Sequence, residues 1–128
     1  MASADNFAIE QGKADRAIEW MNFYAKKTNK KFEAKPQGYL LSTIKFGSFE
    51  VISWKGDWSS ARNVLLRASS KLKIKVLEAG YHEKGNLLSA FFGASSEFAK
   101  VYRNGNLIGQ IELGLKSGKW MVKSEKSA

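Results

Sequence analysis

The stretch Asp57–Lys75, DWSSARNVLLRASSKLKIK, decides the fold, because a helical pattern and a strand pattern meet within it. Apolar residues recur there at three- and four-residue steps, which places them on one stripe of a helix: Ala61, Val64, Leu65, Ala68 and Leu72. Asp57, Ser59 and Ser60 can each cap its start, since their side-chain oxygens accept hydrogen bonds from backbone N–H groups. The alternating run KIKV at 73–76 then predicts a strand. We therefore expect a helix docked on a core and a strand directly after it.

The residues off the apolar stripe are basic or polar, and we expect them to face solvent. A basic helix surface of this kind suits the phosphates of a nucleic acid. The candidate phosphate contacts are Arg62, Arg67, Lys71, Lys73 and Lys75. Trp54 and Trp58 lie just before the helix, where their rings could stack on bases. Tryptophan at a strand end is also a common core residue, so burial is the competing interpretation.

The charge of the whole chain points the same way. Lys and Arg number 21 against 12 acidic residues, a net charge of +9, and residues 59–84 carry six basic and two acidic side chains. Such a field favours polyanions: nucleic acid, an anionic membrane surface or an acidic protein. With 128 residues, 44% hydrophobic and 26% charged, we expect one globular domain over 1–128.

Several classes of protein are disfavoured by what the sequence lacks. It contains no cysteine, which excludes disulfides and thiolate chemistry and suits a reducing compartment. We expect no signal peptide, because the N-terminal residues lack a basic n-region and an apolar h-region, and no apolar run approaches the ~18 residues of a membrane span. We therefore expect a soluble, cytoplasmic protein with no membrane span.

The rest of the chain is consistent with an α+β fold. Residues 5–29 read as a first helix, with Phe7 extending its stripe backwards, although Gly12 would allow a start near Lys13. Pro36 opens a connection to Gly38, and runs at 39–46 and 49–55 predict a hairpin around Gly47-Ser48, with one face of it partly exposed.

Strand patterns dominate after the basic helix. They lie at 73–79, 87–92, 98–103, 107–113 and 120–122, and Asn104-Gly105 gives the strongest hairpin signal. The polar tail from about 123 should fray. The predicted fold is two helices packed on one face of an antiparallel, meander-like β-sheet.

A catalytic site is not evident. His82, the only histidine, adjoins Glu83 in a predicted loop, and a lone histidine lacks the partners of a catalytic or metal site. Acidic residues could be forced into a metal-dependent nuclease site, but salt bridges on the basic surface explain them better. Neither glycine-rich phosphate motif, GxGxxG or GxxxxGK[ST], occurs. We expect no cofactor and rank an enzyme third among the hypotheses.

The run Phe46–Gly80 resembles small phage and mobile-element proteins in which a strand ends at a capped helix. The features that resemble them are Ser60–Arg62 near the start of the helix and the lysine-flanked strand start at Lys73–Lys75. The resemblance covers about a quarter of the chain and carries over no functional residue. It implies a short accessory protein of a virus or plasmid that acts on nucleic acid or on a host protein.

Two functional hypotheses follow. The first is a small, basic, non-catalytic nucleic-acid-binding protein. The alternative is an interaction or assembly subunit whose basic face binds an acidic protein, with an open sheet edge available for pairing. The sequence leaves open DNA or RNA, single or double strand, and the oligomeric state.

Overall fold

The computed structural model describes residues 6–79, 96–116 and 119–128, and these residues form two helices and one seven-stranded sheet. In chain order the elements are β1 (Asn6–Glu10), α1 (Ala14–Lys27), β2 (Phe32–Ser42), β3 (Ser48–Gly56), α2 (Trp58–Leu72), β4 (Lys75–Ala79), β5 (Ser96–Arg103), β6 (Asn106–Lys116) and β7 (Lys119–Ser127). The strand order is β2-β3-β1-β4-β5-β6-β7, and every pair is antiparallel. The predicted α+β class is confirmed.

The central strand of the helix-bearing half is β1, which we predicted as the start of a helix. Phe7 pairs with Ile52 on β3 and with Glu78 on β4. Gly12, at a φ of 87°, turns the chain, and α1 begins only at Ala14. Because β1 is buried on both faces, it shows a continuous apolar run instead of alternation, so its pattern did not distinguish strand from helix.

Because β1 was not predicted, two split β-α-β units were not predicted either. α1 carries the chain from β1 to β2 across β3, and α2 carries it from β3 to β4 across β1. Each helix therefore returns over the same sheet, and α1 and α2 contact each other there.

The apolar stripes of both helices bury against one face of the sheet. Val64 and Leu65 are fully buried, as predicted, and they share a core with Phe7, Met21 and Val76. Asp57 caps α2, since its Oδ1 accepts the Ser60 N–H at 2.9 Å. Lys73 ends the helix in the left-handed conformation, with φ of 57°. These contacts fix which side of α2 remains in solvent.

Pro36 does not open a connection to Gly38, as we expected, but lies within β2, because β2 is an edge strand and tolerates a residue without an N–H. The pairing with β3 continues through Pro36, opposite Ile52, and resumes at Leu40 after a bulge. Gly38 takes a φ of 101° within that bulge. The predicted hairpin is therefore real but longer, and its turn spans 43–47, closed by the Thr43 N–H donating to the Gly47 carbonyl.

The sheet face away from the helices is also buried, contrary to the partly exposed face we expected for the hairpin. Phe49 and Val51 of β3 pack there with residues of β4 to β6, including Leu77 and Ile111. The hairpin turn 43–47, hereafter the hairpin tip, covers this second core with the buried ring of Phe46.

A carboxylate from the last strand holds the hairpin tip in place. The two Oε atoms of Glu125 accept the N–H groups of Ile44 and Lys45, each at 2.6 Å. Because β7 carries Glu125 and the hairpin tip belongs to the other edge of the sheet, the sheet must curl to bring them together.

In the C-terminal strands β5 to β7, one turn matches its prediction and the tail does not. Asn104 and Gly105 adopt φ of 53° and 81°, as their hairpin signal requires. The tail is paired and does not fray: Ser127 lies opposite Gly109, because β6 is long enough to offer partners beyond Val122. The predicted strand at 87–92 lies outside the residues that the structure describes.

Candidate nucleic-acid interface

The outer face of α2 is an uninterrupted polar and cationic stripe. Asn63, Arg67, Ser70 and Lys71 are exposed and recur at the spacing of one helix face. Lys73 is exposed directly beyond the end of the helix. The segment Trp58–Leu72 contains no Asp or Glu, so no acidic residue on the helix itself offsets these cations.

Arg62 has a structural task that the sequence did not reveal. Its Nε donates to Oε2 of the buried Glu78 at 2.6 Å, and its Nη2 donates to the hydroxyl of Tyr102 at 3.3 Å. Burial opposes the charge of Arg62, but the attraction of Glu78 wins and raises the Arg62 pKa. Burial, and then the charge of Glu78, raises the pKa of Tyr102. The charge of Arg62 is therefore compensated inside the fold.

Lys75 is separated from the other predicted cations by the sheet. Side chains alternate along β4, so Lys75 lies on the side of Leu77, away from α2. Its Nζ donates to the carbonyl of Phe46 at 2.8 Å, which ties it to the hairpin tip. Its role is to support the second core.

The two candidate tryptophans also differ, since one packs in the core and the other is partly exposed. Trp54 stacks on the buried ring of Phe7, with centroids 5.3 Å apart and an angle of 13° between planes. It also stacks on Phe32 at 6.2 Å, so it belongs to the helix-side core. Trp58 contacts Phe7 only at a tilt of 39° and keeps 36% of its surface exposed.

Of the seven predicted residues, four therefore lie on the exposed surface of α2 and of the residue directly after it: Trp58, Arg67, Lys71 and Lys73. We call this surface, together with Asn63 and Ser70, the α2 face. Among the described residues, the three ion pairs join Lys55 to Glu33, Arg62 to Glu78 and Lys123 to Glu112. None of them involves a cation of the α2 face.

A groove runs along each side of the α2 face. The first lies between the helices and is lined by Trp20, Phe23, Tyr24, Lys27, Arg67, Ser70 and Lys71. The second lies between α2 and the β5–β6 turn and is lined by Trp58, Ser59, Arg62, Asn63, Leu66, Arg67, Ser70, Asn104, Gly105 and Asn106. Arg67 borders both grooves.

The aromatic residues of the first groove were missed as candidates. Among them, Phe23 is 64% exposed. The Nζ of Lys27 lies 5.9 Å from the centroid of the Phe23 ring. The i, i+4 spacing of Phe23 and Lys27 was the available signal, since such residues are neighbours on a helix surface.

Other kinds of site find little support in the described ranges. These residues hold no group of three or more His, Asp or Glu side chains able to bind a metal ion. His82 lies outside them. Neither α1 nor α2, the helices of the described part, is long and apolar enough to cross a membrane.

Comparisons of this chain with protein-family models, with curated proteins and with solved structures gave no match.

Proposed function

We propose that this protein is a non-catalytic nucleic-acid-binding protein that contacts phosphates through Arg67, Lys71 and Lys73. The observation that carries the proposal is the contrast among its cations. Arg62 and Lys75 are held by acceptors within the fold, whereas the three cations of the α2 face are exposed and form none of the ion pairs in the described residues.

The arrangement of these cations is unfavourable in the free protein. Arg67 and Lys71 are four residues apart, and like charges at this spacing destabilise a helix by a few tenths of a kcal/mol. A polyanion removes this repulsion and releases the counterions condensed on its own backbone. A surface of this kind gains more from binding a chain of phosphates than from remaining solvated.

The face opposite the helices supports the proposal by exclusion. Some small sheets bind RNA by stacking bases on exposed aromatic residues of that face. Here Phe49, Val51 and Leu77 of that face are buried as part of the second core. Binding is therefore assigned to the helix side. A cytoplasmic location and a viral or plasmid origin, which the resemblance of Phe46–Gly80 implies, are part of the same proposal.

The test is a binding titration at several salt concentrations, with labelled single- and double-stranded DNA and RNA. Three phosphate contacts predict a slope of log K against log salt of about −2.7 on duplex and about −2.1 on single strands. Arg67→Ala should reduce the magnitude of this slope by the share of one contact, about 0.9 on duplex and about 0.7 on single strands. It should also weaken binding to all sequences alike, because a phosphate contact reads no base.

Lys45→Ala is the matched control. Lys45 is exposed on the hairpin tip, over the opposite face of the sheet, so its loss changes the net charge equally without touching the α2 face. A flat salt dependence, or equal effects of the two variants, would contradict the proposal. If nucleic acid binds weakly and Arg67→Glu instead abolishes capture of an acidic protein, the alternative function is correct.

A further inference from the structure

The groove between the helices combines cations with aromatic rings. Its wall on α1 carries Trp20, Phe23, Tyr24 and Lys27, and its wall on α2 carries Arg67, Ser70 and Lys71. None of the described residues that line it is acidic. An anionic ligand is therefore favoured by the cations, and a planar one by the rings.

The placement of Phe23 is not explained by packing in the core. A phenylalanine that is 64% exposed contributes little to the core, and α1 is held by the buried Ala17, Met21 and Ala25 on its other side. The Lys27 ammonium lies over the ring at a distance typical of a cation–π contact. This contact holds an aromatic ring beside the cations of α2.

Trp20 and Tyr24 provide a firm wall behind it. Their rings stack with centroids 4.9 Å apart and planes 9° from parallel, and both pack against the helix-side core. The aromatic surface of the groove is thus partly built into the fold, which lowers the entropy lost when a flat ligand binds.

We propose that this groove binds unpaired bases of a single-stranded nucleic acid, with Phe23 as the stacking residue and Arg67 and Lys71 on the adjacent phosphates. The inference rests on the proposed function and adds strandedness to it. In a duplex the faces of the bases are covered by their neighbours, so only a single strand offers them to an aromatic ring. An acidic peptide would satisfy the cations but would leave the flat rings without a matching partner.

The experiment compares Phe23→Ala with Phe98→Ala in the salt titrations described above. Phe98 is a matched control because it is 66% exposed but lies on β5, outside both grooves of the α2 face. Phe23→Ala should weaken single-strand binding by about fivefold or more, the effect of losing one stacked base, with little change in slope. Duplex binding should stay the same, and Phe98→Ala should bind both probes like the wild type.

Failure of this inference can be distinguished from failure of the proposed function. If the salt slope is steep and Arg67→Ala flattens it, but Phe23→Ala leaves single-strand affinity unchanged or weakens both probes equally, the stacking inference alone is overturned. If no probe shows a salt-dependent affinity, or if poly-glutamate binds more tightly than the single strand, both proposals are overturned. Melting curves of the two phenylalanine variants should coincide with that of the wild type, which excludes unfolding as the cause.

Discussion

Each face of the sheet carries a buried core, but the two cores have different kinds of cover. Two helices cover one face, and their apolar stripes are readable from the sequence. The other face is covered by the curl of the sheet and by the hairpin tip, whose anchor Glu125 lies about 80 residues further along the chain. A local sequence pattern therefore predicts a cover made of helices, whereas a cover made by curvature of the sheet depends on contacts between distant residues.

The two covers also share a device. In each, a carboxylate accepts backbone N–H groups at the point where the cover begins or turns: Asp57 at the start of α2 and Glu125 at the hairpin tip. The difference is that Asp57 is local to the groups it caps. Substitutions in each cover can therefore show whether the two covers contribute equally to stability.

The largest effects are expected in the two cores. Leu65→Ala on the helix side and Ile111→Ala on the other side should each lower the free energy of unfolding by about 2–5 kcal/mol, because both side chains are fully buried. Chemical denaturation measures both. A loss below about 0.5 kcal/mol for Ile111→Ala alone would show that the second core is loosely packed.

A smaller loss of unfolding free energy should follow when a side chain added on β6 displaces the hairpin tip. A Cβ at Gly109 would overlap the Cζ of Phe46 and lie 2.8 Å from the carbonyl oxygen of Lys126. Gly109→Ala should therefore cost about 1–3 kcal/mol in unfolding free energy.

Gly114→Ala on the same strand is its control. There the added Cβ would meet only the Lys123 side chain, 2.8 Å away at Cδ, which is flexible and can move. We expect little change, and the cost of Gly109→Ala should fall when Phe46 is also replaced by Ala. Equal costs for the two glycine variants would contradict the position of the hairpin tip.

Removal of Glu125, the distant anchor, should lower the free energy of unfolding by a smaller amount. Glu125→Ala leaves the N–H groups of Ile44 and Lys45 to water, so we expect a loss of about 1 kcal/mol, measured by denaturation. Lys126→Ala, an exposed neighbour on β7, should change stability by less than half of that. Equal losses would mean that Glu125 does not hold the tip.

The smallest effect concerns the local anchor and depends on pH. Hydrogen bonds from the backbone and side chain of Ser60 lower the pKa of Asp57 below its ordinary value of 3.8. A carboxylate with a lowered pKa stabilises the fold above its unfolded pKa, and this stability is lost as the pH falls through the folded pKa. Asp57→Ala should thus lower the melting temperature near pH 7, and the difference from the wild type should shrink as the pH falls below the ordinary carboxyl range. A difference that does not shrink with falling pH would contradict the role of the charge.

Much of the fold could be predicted because its signals are local. The stripe of α2, the Asp57 cap and the Asn104-Gly105 turn each depend on neighbouring residues, and each is present in the structure. β1 could not be separated from a helix, since its short apolar run fits both patterns. The paired tail was missed because its partners on β6 are chosen by the sheet and not by the composition of the tail.

The candidate interface was only partly predictable for a related reason. Helical periodicity indicates that Arg67 and Lys71 face outward, and they do. It cannot show that Glu78, on a strand beside α2, needs Arg62, or that strand alternation directs Lys75 to the other side of the sheet. Pairing across elements, which no pattern within one element encodes, decided which cations remained exposed.

The position of β1 has a consequence for the time course of folding. Its neighbours are β3 and β4, so Phe7 can pair only after Ile52, and then Glu78, have been synthesised. The first strand made is therefore unpaired on one side until β4 has been made, and α1 lacks that part of the sheet until the chain has been synthesised through Ala79. Long loops must close before these contacts form, so we expect this protein to fold more slowly than a helical bundle of the same length.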